Sequence, residues 1–237
     1  MKILALETTE KFGSAALLDN GHVLAEIELP KDRRSSQTLH PVLQSLFDTA
    51  HITASEIDIV AVVAGPGSFT GLRVGVTTAK VFAYITGAKV IALDTFETVA
   101  FADTVGGSLI TVGVDAQRGE VVAAVLCRRE NGQIEIIRAP ELIAVADWWK
   151  YADQYDAPLF SGPALERWSG KAPSHVLLAP DSDWLPKASA AGTLAARRMS
   201  KEQPTVSPFD NVWTLLPTYF RPSAAEEKRQ ELYESRQ

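Results

Sequence analysis

Three glycines within seven residues punctuate the apolar stretch Ala64-Gly65-Pro66-Gly67-Ser68-Phe69-Thr70-Gly71-Leu72-Arg73-Val74-Gly75. Glycine reaches φ > 0 where a side chain clashes, so this run predicts a sharp corner between a strand and a helix. Its flanks agree: Asp58 to Ala64 is a short apolar run, and Gly71 to Gly87 has helical spacing. Ser68 and Thr70 stand where they can cap the first free N–H groups of that helix. Such a helix start can hold an anion, which makes Gly65, Gly67 and Ser68 candidate phosphate contacts. The plainer reading is an ordinary β-turn-α corner. A phosphate-cradling P-loop needs Lys and then Ser or Thr after its second Gly, where this chain has Leu72 and Arg73. A dinucleotide fingerprint needs glycine where Thr70 stands.

Gly71, Gly75, Ala79, Ala83 and Gly87 recur every four residues. On a helix that interval draws one ridge without side chains beyond a methyl, open to close approach by another backbone. Glycine inside a helix costs about 1 kcal/mol relative to alanine, so a compensating contact is expected. Two readings stand. The ridge packs on the protein's own sheet, or Gly71, Gly75, Ala79 and Ala83 form a subunit interface with Leu39 and Leu43 of the preceding helix.

The first half reads β-β-β-α-β-α-β-α, with Asn20-Gly21 as the hairpin turn between strands 14–19 and 22–29. Apolar residues from Leu39 to Ala50 recur at helical spacing. The second half opens with Ile110 to Asp115, a short polar turn, Gly119 and a second apolar strand. That repeats the order Ile3 to Glu7, turn, Gly13, Ser14 to Leu18, and suggests a duplicated α/β unit. Further elements are expected at 135–138, 145–155, 158–161, 176–179 and 188–199, with the boundary at Gly106-Gly107. The last residues, 224–237, are almost all charged or polar and are expected to fray.

A chain of 237 residues can build its core without staples, and the lone Cys127 excludes an internal disulfide or a thiolate zinc cluster, as suits a reducing cytoplasm. The acid Glu7 arrives too early for a signal peptide, and no apolar run spans a bilayer. A formal charge of −6 argues against a protein that grips nucleic acid by itself. The pairs Arg33-Arg34, Arg128-Arg129 and Arg197-Arg198 read as solvated surface, and the five tryptophans as core or lid packing. His22, His40, His51 and His175 form no i, i+4 pair, so no helix-borne metal site is expected. No nucleophile elbow is present. Glu7, followed by Thr8 and Thr9, and Asp115 end two strands; acids so placed can hold magnesium near phosphates, although solvated or turn-capping acids are commoner.

Taken together, Ile3-Leu4-Ala5-Leu6-Glu7-Thr8-Thr9, the glycine segment, Val114-Asp115-Ala116-Gln117-Arg118-Gly119-Glu120-Val121 and Tyr219-Phe220-Arg221-Pro222-Ser223 resemble the bacterial TsaB (YeaZ) family over nearly the whole length. The resemblance implies an actin-like ATPase fold of two ribonuclease-H-like domains, at 1–105 and 106–222, with a flexible charged tail at 223–237. It implies a cytoplasmic, non-catalytic subunit in the synthesis of threonylcarbamoyladenosine, the modified base beside the anticodon of tRNAs reading codons that start with A. Such a subunit pairs with the catalytic TsaD, is joined by the ATPase TsaE, forms a homodimer when alone, and meets tRNA only through the complex. In the catalytic relative a His-x-x-x-His metal pair follows the strand after the glycine helix; aligning that segment puts Thr95 and Val99 there. Two departures weaken nucleotide binding: Glu7 replaces the usual Asp, and Gly162-Pro163 stands where a glycine pair would hold adenosine. ATP or ADP with Mg is therefore expected only weakly or in the complex. Rival readings are a stand-alone ATPase or small-molecule kinase using Glu7 and Asp115, and a metallopeptidase.

Overall fold

The computed structural model describes residues 1–102, 109–129, 131–200 and 212–221. The expected boundary at Gly106-Gly107 and the charged tail lie outside them. Strands β1 (Lys2–Glu7), β2 (Ser14–Asp19) and β3 (His22–Glu28) form an antiparallel meander. Asn20 (φ 48°) and Gly21 (φ 82°) both lie in the left-handed region, the geometry for which an Asn-Gly hairpin turn is selected. Helix α1 (Ser35–Ala50) then leads to β4 (Ile59–Val63), helix α2 (Phe69–Thr86) and β5 (Lys89–Leu93). The first sheet has the order β3-β2-β1-β4-β5, with β1, β4 and β5 parallel.

Helix α3 (Thr95–Ala102) bridges to a second sheet built from β6 (Leu109–Asp115), β7 (Glu120–Arg128) and β8 (Ile134–Ala144). After them come α4 (Val145–Trp149), α5 (Tyr151–Gln154), β9 (Leu159–Ser161), α6 (Leu165–Trp168), β10 (Leu177–Leu178) and α7 (Ala188–Met199). The second sheet has the order β10-β9-β6-β7-β8, the same path as the first. The repeat inferred from two strands thus extends to all five. In the second lobe Trp148 is fully buried, its indole N–H donates to Thr111 Oγ1 (2.8 Å), and its ring occupies the space left by Gly113.

The first sheet is covered on both faces. Leu4, Leu6, Leu17, Val60 and Val62 face α1 and α2, while the alternate residues Ile3, Ala5, Leu18, Ile59 and Ala61 face α7. Gly192 lets α7 lie against Leu18 and Ala5. Helix α7 comes from the second half of the chain but packs on the first sheet. The strap at 212–218 does the same, burying Leu215 in the first core and donating Thr218 N–H to Ala64 O (2.8 Å).

Ser68 caps α2 as expected, accepting from Gly71 N (3.3 Å), and Gly87 (φ 77°) ends it. The ridge faces inward. A Cβ at Gly71 would collide with the carbonyl oxygen of Thr8, and one at Gly75 with the Thr8 hydroxyl. Ala79 and Ala83 are buried in the same core, as are Leu39 and Leu43 of α1. The interface reading of these six residues is therefore corrected: Thr8, just after β1, fills the space beside Gly71 and Gly75, and the other four are buried in the protein's own core. Gly71→Ala should destabilise the fold by about 1–3 kcal/mol, a Tm loss of roughly 2–4 °C for each, while Gly170→Ala, which meets nothing within 4 Å, should be neutral. Equal melting temperatures for the two variants would contradict this packing.

Candidate functional site at the glycine junction

The turn after β1 lies directly on the junction before α2. Ser68 N donates to Thr9 O (2.5 Å), Thr8 Oγ1 donates to Gly71 O (2.8 Å), and a Cβ at Gly67 would meet both the carbonyl and the side chain of Thr9. On the other side a Cβ at Gly65 would meet Thr218 O, while Thr95 donates its N–H to Gly65 O (2.9 Å) and its hydroxyl to Pro66 O (2.5 Å). The Gly65-Pro66 peptide is cis. Six of the residues expected around a phosphate, Glu7, Thr8, Thr9, Gly65, Gly67 and Ser68, are therefore brought together, but largely to hold one another. The missing side chains of Gly65 and Gly67 make room for Thr218 and Thr9, so the junction does not form a phosphate cradle of the P-loop kind.

Glu7 is fully buried. Its Oε1 accepts from Thr9 N (2.5 Å) and Thr9 Oγ1 (2.6 Å), whereas Oε2 has no partner among the described residues. Burial pushes its carboxyl up to about 7 against the pull of the Thr9 hydrogen bonds. Asp115, on the second sheet, is held by its own lobe: it accepts from Arg167 Nη1 (3.2 Å), Trp168 Nε1 (3.4 Å) and Gln117 N (3.1 Å). Glu10 lies electrically between the two acids; burial raises its carboxyl, and repulsion from Glu7, Glu166 and Asp115 adds to the effect. Among the described residues no group of three His, Cys, Asp or Glu side chains is placed to hold a metal.

Below the junction, Asp94 caps α3 by accepting from Glu97 N (2.6 Å), and Arg198 of α7 pairs with Glu97. Burial raises the Asp94 carboxyl. No spacing rule points to this cluster, because Arg198 is 101 residues from Glu97.

Between the lobes a cleft of about 1260 Å³ opens beside the start of α2, lined by the junction, by 31–37, by Asp115 and by the strap at 218–221. Around the corner, the outer face of α2 leaves Val81 (50% exposed), Tyr84 (69%) and Ile85 (75%) uncovered. The strap continues that face: Tyr84 and Trp213 rings lie 5.7 Å apart, and Trp213 is 61% exposed. The lid reading of Trp213 thus fails, since it caps no core. Sequence periodicity drew attention to the small ridge and passed over this opposite face.

A sequence model described as "TsaD: tRNA N6-adenosine threonylcarbamoyltransferase" matches residues 22–222. The TsaB protein of Bacillus subtilis, named for tRNA threonylcarbamoyladenosine biosynthesis, is 32% identical over 68% of this chain and 71% of its own. The chain belongs to the TsaB (YeaZ) family. The Escherichia coli TsaB is 33% identical over 60% of this chain and 64% of its own. A solved YeaZ from Pseudomonas aeruginosa superposes with a TM-score of 0.75 over 92% of this chain and 99% of its own, at 23% identity, which shows the shared two-lobed actin-like fold. In this TsaB-family chain the Thr95 hydroxyl is committed to Pro66 O, and Val99 is fully buried in the core that α3 makes with the second sheet.

The Glu7 carboxyl fixes a pH dependence. Its folded value of about 7 lies above the usual 4.5, so folding takes up a proton between those values. Stability is full below about 4.5 and is lost as pH rises through about 7, by about 3 kcal/mol. Glu7→Gln should therefore raise Tm at pH 8 and leave it unchanged at pH 4. An equal shift at both pH values would contradict the buried-carboxyl account.

Proposed function

We propose that this chain is the non-catalytic partner of a TsaD-type subunit in forming threonylcarbamoyladenosine in tRNA, and that the two pair through the outer face of α2. The relatives' names supply the modification. The chemistry of Thr95 and Val99, which offer no imidazole to a metal, supports the non-catalytic part. So does the internal commitment of Glu7 and Asp115, the two acids that an ATPase or kinase would need free for magnesium.

The observation that carries the pairing is the apolar stripe of Val81, Tyr84 and Ile85 with Trp213 and Leu216, each at least half exposed. A contiguous stripe of this kind on a soluble protein marks a binding surface. Its neighbour Phe82 stacks on Phe47 of α1 (5.9 Å, 2° between planes), which stiffens the surface before any partner arrives. A partner built on the same fold, as the match to the TsaD family model leads one to expect, can offer the equivalent helix, giving a pseudo-symmetric contact. When TsaD is absent the same stripe serves a homodimer. A TsaE-type ATPase joins the assembled pair, and ATP or ADP with Mg binds weakly or only there. None of the described helices is long and apolar enough to cross a membrane. The work is assigned to the cytoplasm, where tRNA is modified.

Val81→Asp with Ile85→Asp places two charges on the exposed stripe, so the melting temperature should hold within about 2 °C. Co-purification with TsaD should be lost, and cells carrying only this variant should lack threonylcarbamoyladenosine in bulk tRNA. Retained pairing by the double variant, or normal modification in cells deleted for the chain, would refute the assignment.

A further inference from the structure

The mouth of the interlobe cleft carries cations that no carboxylate among the described residues neutralises. Lys11 and Lys31 come from loops after β1 and β3, yet both ammonium groups lie over the Phe12 ring, at 5.1 and 5.0 Å from its centroid. Arg34, exposed just before α1, lines the same cleft. No carboxylate among the described residues pairs with Lys11, Lys31 or Arg34, whereas Arg33 has Asp32 (3.8 Å) and Arg167 has Asp115 (3.2 Å). Both lysines are exposed and held by the one ring, so an anion can meet their ammonium groups without first breaking an ion pair.

The facing wall is aromatic, two rings tilted by 34°. Phe69 and Tyr219 rings lie 4.8 Å apart, and the Arg73 guanidinium covers Phe69 at 3.9 Å while its Nε donates to the Tyr219 hydroxyl (3.3 Å). Tyr219 is 41% exposed, so one face of this stack is open at the cleft. Planar bases stack on such platforms, and phosphates follow unpaired cations.

We propose that this cleft mouth binds single-stranded RNA, its phosphates on Lys11, Lys31 and Arg34 and one unpaired base on the Phe69–Tyr219 platform. The inference rests on the tRNA-modification reading and deepens it, by assigning this subunit a direct contact to an unpaired loop of the tRNA. A duplex offers its phosphates but keeps its bases stacked inside, so the platform would go unused. Of the four acids that line the cleft, Asp115 is answered by Arg167 and Asp32 by Arg33, burial raises the Glu10 carboxyl toward its neutral form, and Glu166 lies on the second lobe at α6. The overall charge of −6 does not oppose the contact, because at physiological salt charges beyond about 8 Å are screened.

Fluorescence anisotropy on the full chain tests this, with a labelled RNA of tRNA anticodon-loop sequence, a duplex of equal length, and ATP as probes. The single strand should bind more tightly than the duplex. Lys31→Ala with Arg34→Ala should weaken it on the order of tenfold and flatten the slope of log affinity against log salt by about 1.4, twice the roughly 0.7 due to each neutralised phosphate. Tyr219→Ala should weaken binding at every salt concentration without changing that slope, and Lys89→Glu, away from the cleft, should change neither. Unchanged affinity in the first two variants, tighter binding of the duplex, or displacement of the single strand by ATP at equal concentration would overturn the proposal. Should deletion of the chain abolish the modified nucleoside while the Lys31, Arg34 variant restores it and binds RNA normally, the RNA contact alone falls and the family function stands.

Discussion

Thr8 and Thr9, by backbone at residues 67 and 71 and by the Thr8 hydroxyl at 75, lie where side chains on those glycines would be, and the rest of the first lobe is arranged around that contact. Once the turn after β1 occupies the glycine ridge, α2 can meet the sheet in one rotation only. Val62 and Val76 then close the core on one side, and Val81, Tyr84 and Ile85 are turned to solvent on the other. A single bulky side chain on the ridge would lift α2 off the strand, so the inward fit and the outward display are one geometric fact. The two hydrogen bonds Ser68 N to Thr9 O and Thr8 Oγ1 to Gly71 O fix the contact along the helix axis as well.

Much of this was legible in the residues. Asn20-Gly21 announced its turn, Ser68 its cap, and the apolar run from 58 to 64 its strand. The repeat of strand, acid, turn and glycine in the two halves pointed to a duplication that the sheet orders extend. What was not legible depends on which surface meets which. A helix stripped of bulk permits close approach, but its sequence does not name the approaching backbone, and here it is the nearest strand. Equally, no local pattern places α7 on the first sheet, because Gly192 is adapted to Leu18 across more than 170 residues of chain.

The candidate site divides in the same way. Glu7 and Asp115 were visible as acids at strand ends, but their hydrogen bonds to Thr9, Arg167, Trp168 and Gln117 are tertiary facts. Bulk charge hid the cleft rim, since a total of −6 says nothing about three cations gathered by two loops and a helix start. Two surfaces result, an apolar stripe on α2 and a basic, aromatic cleft mouth beside its first turn. One helix sets the direction of both, since the cleft opens at its first turn and the stripe lies on the outer face of its last turns.

The account stands on α2 having its ridge inward and its apolar stripe free for a partner. Hydroxyl-radical footprinting of the chain, alone and with a TsaD-type subunit, reads this directly, because Tyr84 and Trp213 are reactive side chains on that stripe. Protection of both residues on mixing, with Leu177 on the far sheet edge unchanged, is the predicted result. Oxidation of Tyr84 and Trp213 at the same rate in the complex as in the isolated chain would contradict it.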